Sequence, residues 1–156
     1  MDKIKIKKVK PMKLAYIEHI GEYSKVPYDR YVPRLFKWAK ENKVRPGFKN
    51  INVFHDDPEE KDSLDCKSWI GIPINVDANS DDEVKVEKIP EMEVATLKFK
   101  GPSSEYKNAY DKIKRWMDEN GYDWDGPSFE VCSKKPKMAN GEMILSTTIQ
   151  VPIKKK

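Results

Sequence analysis

An internal repeat limits what this chain can fold into more than any other feature of its 156 residues. Near the start of each half an apolar stretch runs into Gly, KLAYIEHIGEY and VATLKFKGPSS, and a helical stretch follows, YDRYVPRLFKWAKEN and YKNAYDKIKRWMDEN. A loop with a Pro-Gly or Gly-Pro pair comes next, then a short strand closing on Pro (INVFHDDP, FEVCSKKP) and a last strand carrying Pro (WIGIPI, TIQVPI). Gly21 and Gly101 stand 80 residues apart; Trp38 and Trp116, Asn42 and Asn120, and Pro58 and Pro136 stand 78 apart; Pro73 pairs with Pro152. An ordered set of this kind marks a duplication. The expected fold is α+β: two strand-helix-strand-strand units forming a pseudo-twofold antiparallel sheet, with two helices on one face and a ligand groove on the other. The chain is expected to be one domain, residues 1–156, with a first half at about 10–76, a polar linker at about 77–88 and a second half at about 89–153.

Within each half the patterns are local. Residues 12–19 and 93–100 read as strands. Tyr28, Tyr31, Val32, Leu35, Phe36 and Ala39 recur at helical spacing and predict an inner face for a helix from about Tyr28 to Asn42. Pro33 is expected in its first turn or at a kink. Ser103 or Ser104 would cap the second helix, whose inner face carries Tyr106, Ala109, Tyr110, Ile113, Trp116 and Met117, and Asn120-Gly121 would end it. Asn140-Gly141 is a hairpin turn signal.

Charge and cysteine usage narrow the function classes. The 30 basic residues face 26 acidic ones, and the excess sits at the ends, in KIKIKKVK and the closing KKK. No basic stripe is interleaved with aromatics, so a nucleic-acid partner is not expected. Cys66 and Cys132 make no metal-ligand spacing, and neither a secretory leader nor an apolar run of about 18 residues is present. The chain is expected to be cytoplasmic, without membrane, metal or cofactor. His19 and His55 with Asp56 and Asp57 could suggest a metal set, but His55, Asp56 and Asp57 precede Pro58 and read as a solvated turn rather than ligands. The chain starts within about ten residues of its first strand, so no helix-turn-helix is expected.

Strand alternation suggests where chemistry sits. Ile70, Ile72, Ile74, Ile149, Val151 and Ile153 are expected under the helices, and Phe129 and Val131 in the core. The opposite face would then collect Asn52, Phe54, Trp69, Glu130, Cys132, Thr148 and Gln150. Aromatic walls, a few polar groups and one carboxylate describe a ligand groove, and Glu130 among rings would select flat organic cations. The repeat places Asn52 opposite in role to Glu130, an acid and an amide that would orient a ligand. Cys132 beside that carboxylate is expected to stay a thiol, and Tyr106 and Tyr110 to be core residues.

The segments AYIEHIGEYSKVPYDRYVPRLFKWAKEN, VFHDDP, IPEMEVATLKFKGPSSEYKNAYDKIKRWMDENGYDWDGPSFEVCSKKP and TTIQVPI together resemble the GyrI-like small-molecule-binding domains. The resemblance runs from about Pro11 to Ile153. It implies a free-standing binder of amphipathic, often cationic compounds, held by aromatics and by a glutamate that matches Glu130. Many relatives have a tyrosine where Cys132 stands. The expected ligand set is Tyr16, Tyr23, Asn52, Phe54, Trp69, Glu130, Cys132 and Gln150. The resemblance also implies two alternatives. One is a hydrolase of electrophilic cyclopropane-bearing compounds, with Glu130 and Trp69 in the catalytic roles. The other is a protein that binds and inhibits a topoisomerase. An exposed aromatic groove could also be covered by a second copy in a homodimer.

Overall fold

The computed structural model describes residues 3–46, 49–132, 134 and 137–156. Pro136, matched above with Pro58, lies outside them. In chain order the elements are β1 (Lys5–Val9), β2 (Met12–Ile20), α1 (Tyr28–Glu41), β3 (Asn50–Phe54), β4 (Lys67–Ile74), β5 (Lys85–Ile89), β6 (Met92–Pro102), α2 (Tyr106–Asn120), β7 (Tyr122–Trp124), β8 (Ser128–Cys132), β9 (Lys137–Ala139) and β10 (Glu142–Lys155). Every strand pair for which a register is resolved is antiparallel. With two helices this is the expected α+β class.

The chain forms two compact units. The first, Lys10–Glu91, has strand order β3-β4-β2-β5. Ala15, Ile17, Ile70, Ile72 and Ile74 point from β2 and β4 to α1, where Leu35, Trp38 and Ala39 meet them. Trp38 is 0% exposed, and its indole N–H donates to the Asn79 carbonyl at 3.1 Å. One expectation for α1 fails, and one is narrowed. Tyr28 and Phe36 lie on its exposed flank, because the buried stripe is the narrower set Leu35, Trp38 and Ala39. Pro33 sits at the sixth helical position rather than in the first turn.

The second unit joins β1 to Met92–Lys156, in the order β1-β6-β10-β8, with β7 and β9 also on β10. Its core sets Ala95, Leu97, Phe99, Ile149, Val151 and Ile153 against Ala109, Ile113 and Met117 of α2. Gly121, at φ 77, returns its N–H to the Met117 carbonyl and ends α2 where Asn120-Gly121 predicted. No serine side chain caps the start, because Ser103–Glu105 form a 3₁₀ turn of their own.

The repeat extends further than the sequence motifs. β1 and β5 are 80 residues apart, as are β2 and β6 at Met12 and Met92. The pairings reproduce that offset: Lys5 faces Thr96, and Lys85 faces Tyr16. β1 and β5 each pair not with the strand that follows them but with the other copy of that strand. The N-terminal β1 therefore belongs to the second unit, and β5, which occupies part of the presumed linker, belongs to the first. Both are edge strands, largely solvated on both faces, so KIKKV and KVEKI show lysines and glutamate where an inner strand would show alternation.

Candidate functional site

Glu130 of β8 stands directly opposite Ile149 of β10, which in turn faces Leu97 of β6. Residues opposite each other in an antiparallel pair project to the same face. Ile149 and Leu97 are core residues under α2, so Glu130 and, two residues on, Cys132 face the helix. This corrects the expected placement on the helix-free side. Phe129 and Val131 are the residues that point away from α2, as do Thr148 and Gln150. Alternation could not show this, because Ser128, Phe129 and Glu130 are all buried.

On the helix face Glu130 is 8% exposed and accepts a hydrogen bond from the Tyr110 hydroxyl at 2.6 Å. That hydroxyl also lies 2.7 Å from Ser128 Oγ. With the Tyr110 proton committed to Glu130 Oε2, the serine must donate, giving a directed chain from Ser128 through Tyr110 to Glu130. One turn earlier on α2, Tyr106 shares a 2.7 Å hydrogen bond with Thr147 Oγ1, which lies 3.8 Å from Cys132 Sγ. Phe99 stacks on Tyr106 with ring centroids 4.6 Å apart, and Trp124 lies parallel to Tyr110 at 6.5 Å.

Burial dominates the electrostatics. Desolvation lifts the Glu130 carboxyl to about 7, against the lowering effect of the Tyr110 hydrogen bond. The Tyr110 hydroxyl is pushed well up by burial and by the charge and hydrogen bond of Glu130. The Cys132 thiol also rises, through burial first and the nearby carboxylate last, so it is no ready nucleophile. Among the described residues no lysine or arginine pairs with Glu130. A carboxyl so placed holds its proton below about pH 7 and becomes a strong anionic site when a cation compensates it.

Tyr106 and Tyr110, expected as core, are thus the groups that hold this acid cluster. The available signal was polar residues, Ser128 and Thr147, at strand positions that a helix would cover.

In the first unit the expected ligand residues divide between two faces. Asn52 stands opposite Ile70 and Phe54 opposite Ser68, so both project toward α1. Asn52 is buried, and its Oδ1 has no hydrogen-bond partner among the described residues. Trp69 stands opposite Val53 and Glu18, on the face away from α1, together with Tyr16. There Trp69 stacks on Tyr16 at 4.0 Å, meets His55 edge-on at 4.4 Å and donates its indole N–H to Glu18 at 3.0 Å. Asn52 and Phe54 therefore do not share a face with Trp69, which corrects the expectation.

Tyr23 is a structural clasp. Its hydroxyl accepts the Asp56 N–H at 3.0 Å and donates toward the carbonyls of Asp56 and Lys67, and burial pushes it up to about 12. Asp56 in turn accepts the Lys67 N–H at 2.8 Å, and Asp57 accepts the Glu59 N–H, the turn roles expected of them. Among the described residues no three His, Cys, Asp or Glu side chains gather as a metal site. An open cavity of about 580 Å³ in this unit lies between Pro11–Lys13, Ile74–Asn75 and Lys88–Pro90, and none of the expected ligand residues lines it. Among the described residues no helix is long and apolar enough to cross a membrane.

Known proteins share this architecture. The family described as GyrI-like small molecule binding domain matches residues 2–154. A SPbeta prophage-derived putative transcriptional regulator of Bacillus subtilis, YosT, is 27% identical over 88 residues, 56% of this chain and 59% of that protein. The chain thus spans less than two thirds of that relative. The crystal structure of the EcmrR C-terminal domain superposes with a TM-score of 0.82 at 20% identity, covering 99% of this chain and 98% of that one. A hydrolase encoded by lin2189 of Listeria innocua follows at 0.69 and 16%, covering 97% and 92%. SAV2435, solved bound to tetraphenylphosphonium, superposes at 0.60 and 11%, covering 98% and 94%. At these identities the solved structures share the fold.

Proposed function

Because the chain belongs to the GyrI-like small-molecule-binding family, we propose that its ligand is an amphipathic organic cation and that Glu130 is the counter-ion. One observation carries the reading: a carboxyl 8% exposed, raised to about 7, with no basic partner among the described residues. Burying an acid in this way is costly unless a cation compensates it. Tyr106, Tyr110, Phe99 and Trp124 supply the rings that a flat or greasy cation would contact. SAV2435, which shares the fold, was solved with such a cation.

Titration calorimetry with tetraphenylphosphonium tests the proposal. Glu130→Gln keeps the shape and the Tyr110 contact but removes the charge, and should weaken binding by about 2–5 kcal/mol, the usual cost of unpairing a buried charge. Binding should also tighten as pH rises through about 7. Equal affinity in parent and variant would refute the role of Glu130.

Hydrolysis is the second reading, favoured by the same carboxyl, whose value near neutrality suits a general base. A hydrolase shares the fold. An electrophilic cyclopropane substrate consumed by the parent and left intact by Glu130→Gln would establish it. A protein partner such as a topoisomerase would instead be indifferent to Glu130→Gln.

A further inference from the structure

The face of β10 that carries the Glu130 cluster does not stop at Thr147. Alternate residues continue along it as Leu145 and Met143: β10 is one unbroken strand, paired with β8 as far as Thr147, with β6 without a bulge as far as Ile144, and with β9 from Ile144 to Glu142. Beyond Leu145, β9 and β10 form a two-stranded arm in which Met143 stands directly opposite Met138. Both methionines therefore point to the side that Glu130 occupies. They are strongly exposed, at 66% for Met138 and 54% for Met143.

Three features separate this arm from an ordinary surface hairpin. It is held in one register by Asn140 and Gly141, both at positive φ (51° and 78°) as a type I′ turn requires. Its two faces differ, with Lys137, Ala139, Glu142 and Ile144 on the side away from Glu130 and the two methionines toward it. It also has no counterpart in the first unit. There the corresponding stretch is an acidic loop, tied down by Asp56, Asp57 and Asp62 through backbone hydrogen bonds. The result is a graded path on one face: buried Glu130 and Thr147, half-buried Cys132 and Leu145, then two exposed thioethers. From Ile149, opposite Glu130, to Met143 the strand covers about 20 Å, at roughly 3.3 Å per residue.

We infer that the β9–β10 arm is a second, apolar subsite that seats the hydrocarbon tail of a cationic amphiphile whose head lies at Glu130. This deepens the proposed function and rests on it. Unbranched, polarisable methionine side chains suit a tail that must be gripped without a fixed shape. The chain would therefore favour long-tailed quaternary ammonium ions over compact ones, with the tail leaving the acid cluster along Leu145 toward solvent.

A chain-length series tests this on the intact protein: tetramethyl-, octyltrimethyl- and dodecyltrimethylammonium, each below its micellar concentration, titrated by calorimetry. Full burial of a methylene is worth about fourfold in affinity, so a half-covered tail should gain about twofold per methylene. Met138→Ser with Met143→Ser should flatten the gain between octyl and dodecyl by about tenfold while leaving tetramethylammonium affinity as in the parent. Met138→Leu with Met143→Leu should restore the gain. Both pairs are surface changes whose folding is checked by their melting temperature. An unchanged octyl-to-dodecyl gain in the serine pair overturns the arm as a subsite and leaves the cation site standing. Absence of binding at every tail length in the parent overturns both.

Discussion

Holding Glu130 in a desolvated cluster must cost the folded chain stability at neutral and alkaline pH, and that cost can be measured without knowing the ligand. The unfolded carboxyl titrates near 4.5 and the folded one near 7. Below 4.5 both states hold the proton and there is no penalty. Between 4.5 and 7 the unfolded chain has released its proton while the folded chain retains it, so stability falls as pH rises. At about 1.4 kcal/mol per pH unit, the loss across this window of about 2.5 units is roughly 3.5 kcal/mol, and it levels off above pH 7. Glu130→Gln cannot titrate and keeps an acceptor for Tyr110, so it should escape the loss. Urea unfolding of parent and variant from pH 4 to 8.5 reads the difference, in which all other titrating groups cancel. With a urea slope of about 2 kcal/mol/M, the variant should gain about 1.7 M in midpoint relative to the parent over that range. Saturating organic cation should erase the effect, because the cation holds the folded carboxyl ionised. A parent-minus-variant difference that stays flat from pH 4 to 8.5 would mean that Glu130 is solvated and is no buried counter-ion for a ligand.

Two further expectations concern the scaffold. A Cβ at Gly71 would come within 2.8 Å of the Ala15 carbonyl and 2.9 Å of the Leu14 side chain, so Gly71→Ala should cost about 1–3 kcal/mol and lower the melting temperature. Trp38, on the inner face of α1, is fully buried, and Trp38→Ala should cost about 3–5 kcal/mol in chemical denaturation, with loss of a near-ultraviolet circular dichroism band.

Residues acting through their neighbours in sequence were readable without coordinates. The duplication, the two helices, the Gly121 stop and the Asn140-Gly141 turn all rest on local backbone preferences or on a repeated period, and the structure carries each of them. The sequence marks Glu130 by type and position, but not by direction. In β8 Ser128, Phe129 and Glu130 are buried alike, so the period-two pattern that assigns faces is missing; only the pairing of Glu130 with Ile149 decides the side. The same holds for Asn52 and Phe54 against Trp69, whose faces follow from register with β4. The exchanged edge strands β1 and β5 were hidden for another reason, since a strand solvated on both faces has no apolar alternation to read. What the amino acids specify one by one is local: where the chain turns, coils and extends. Which polar group a helix covers depends on the alignment of strands distant in sequence, and that alignment exists only once they are paired.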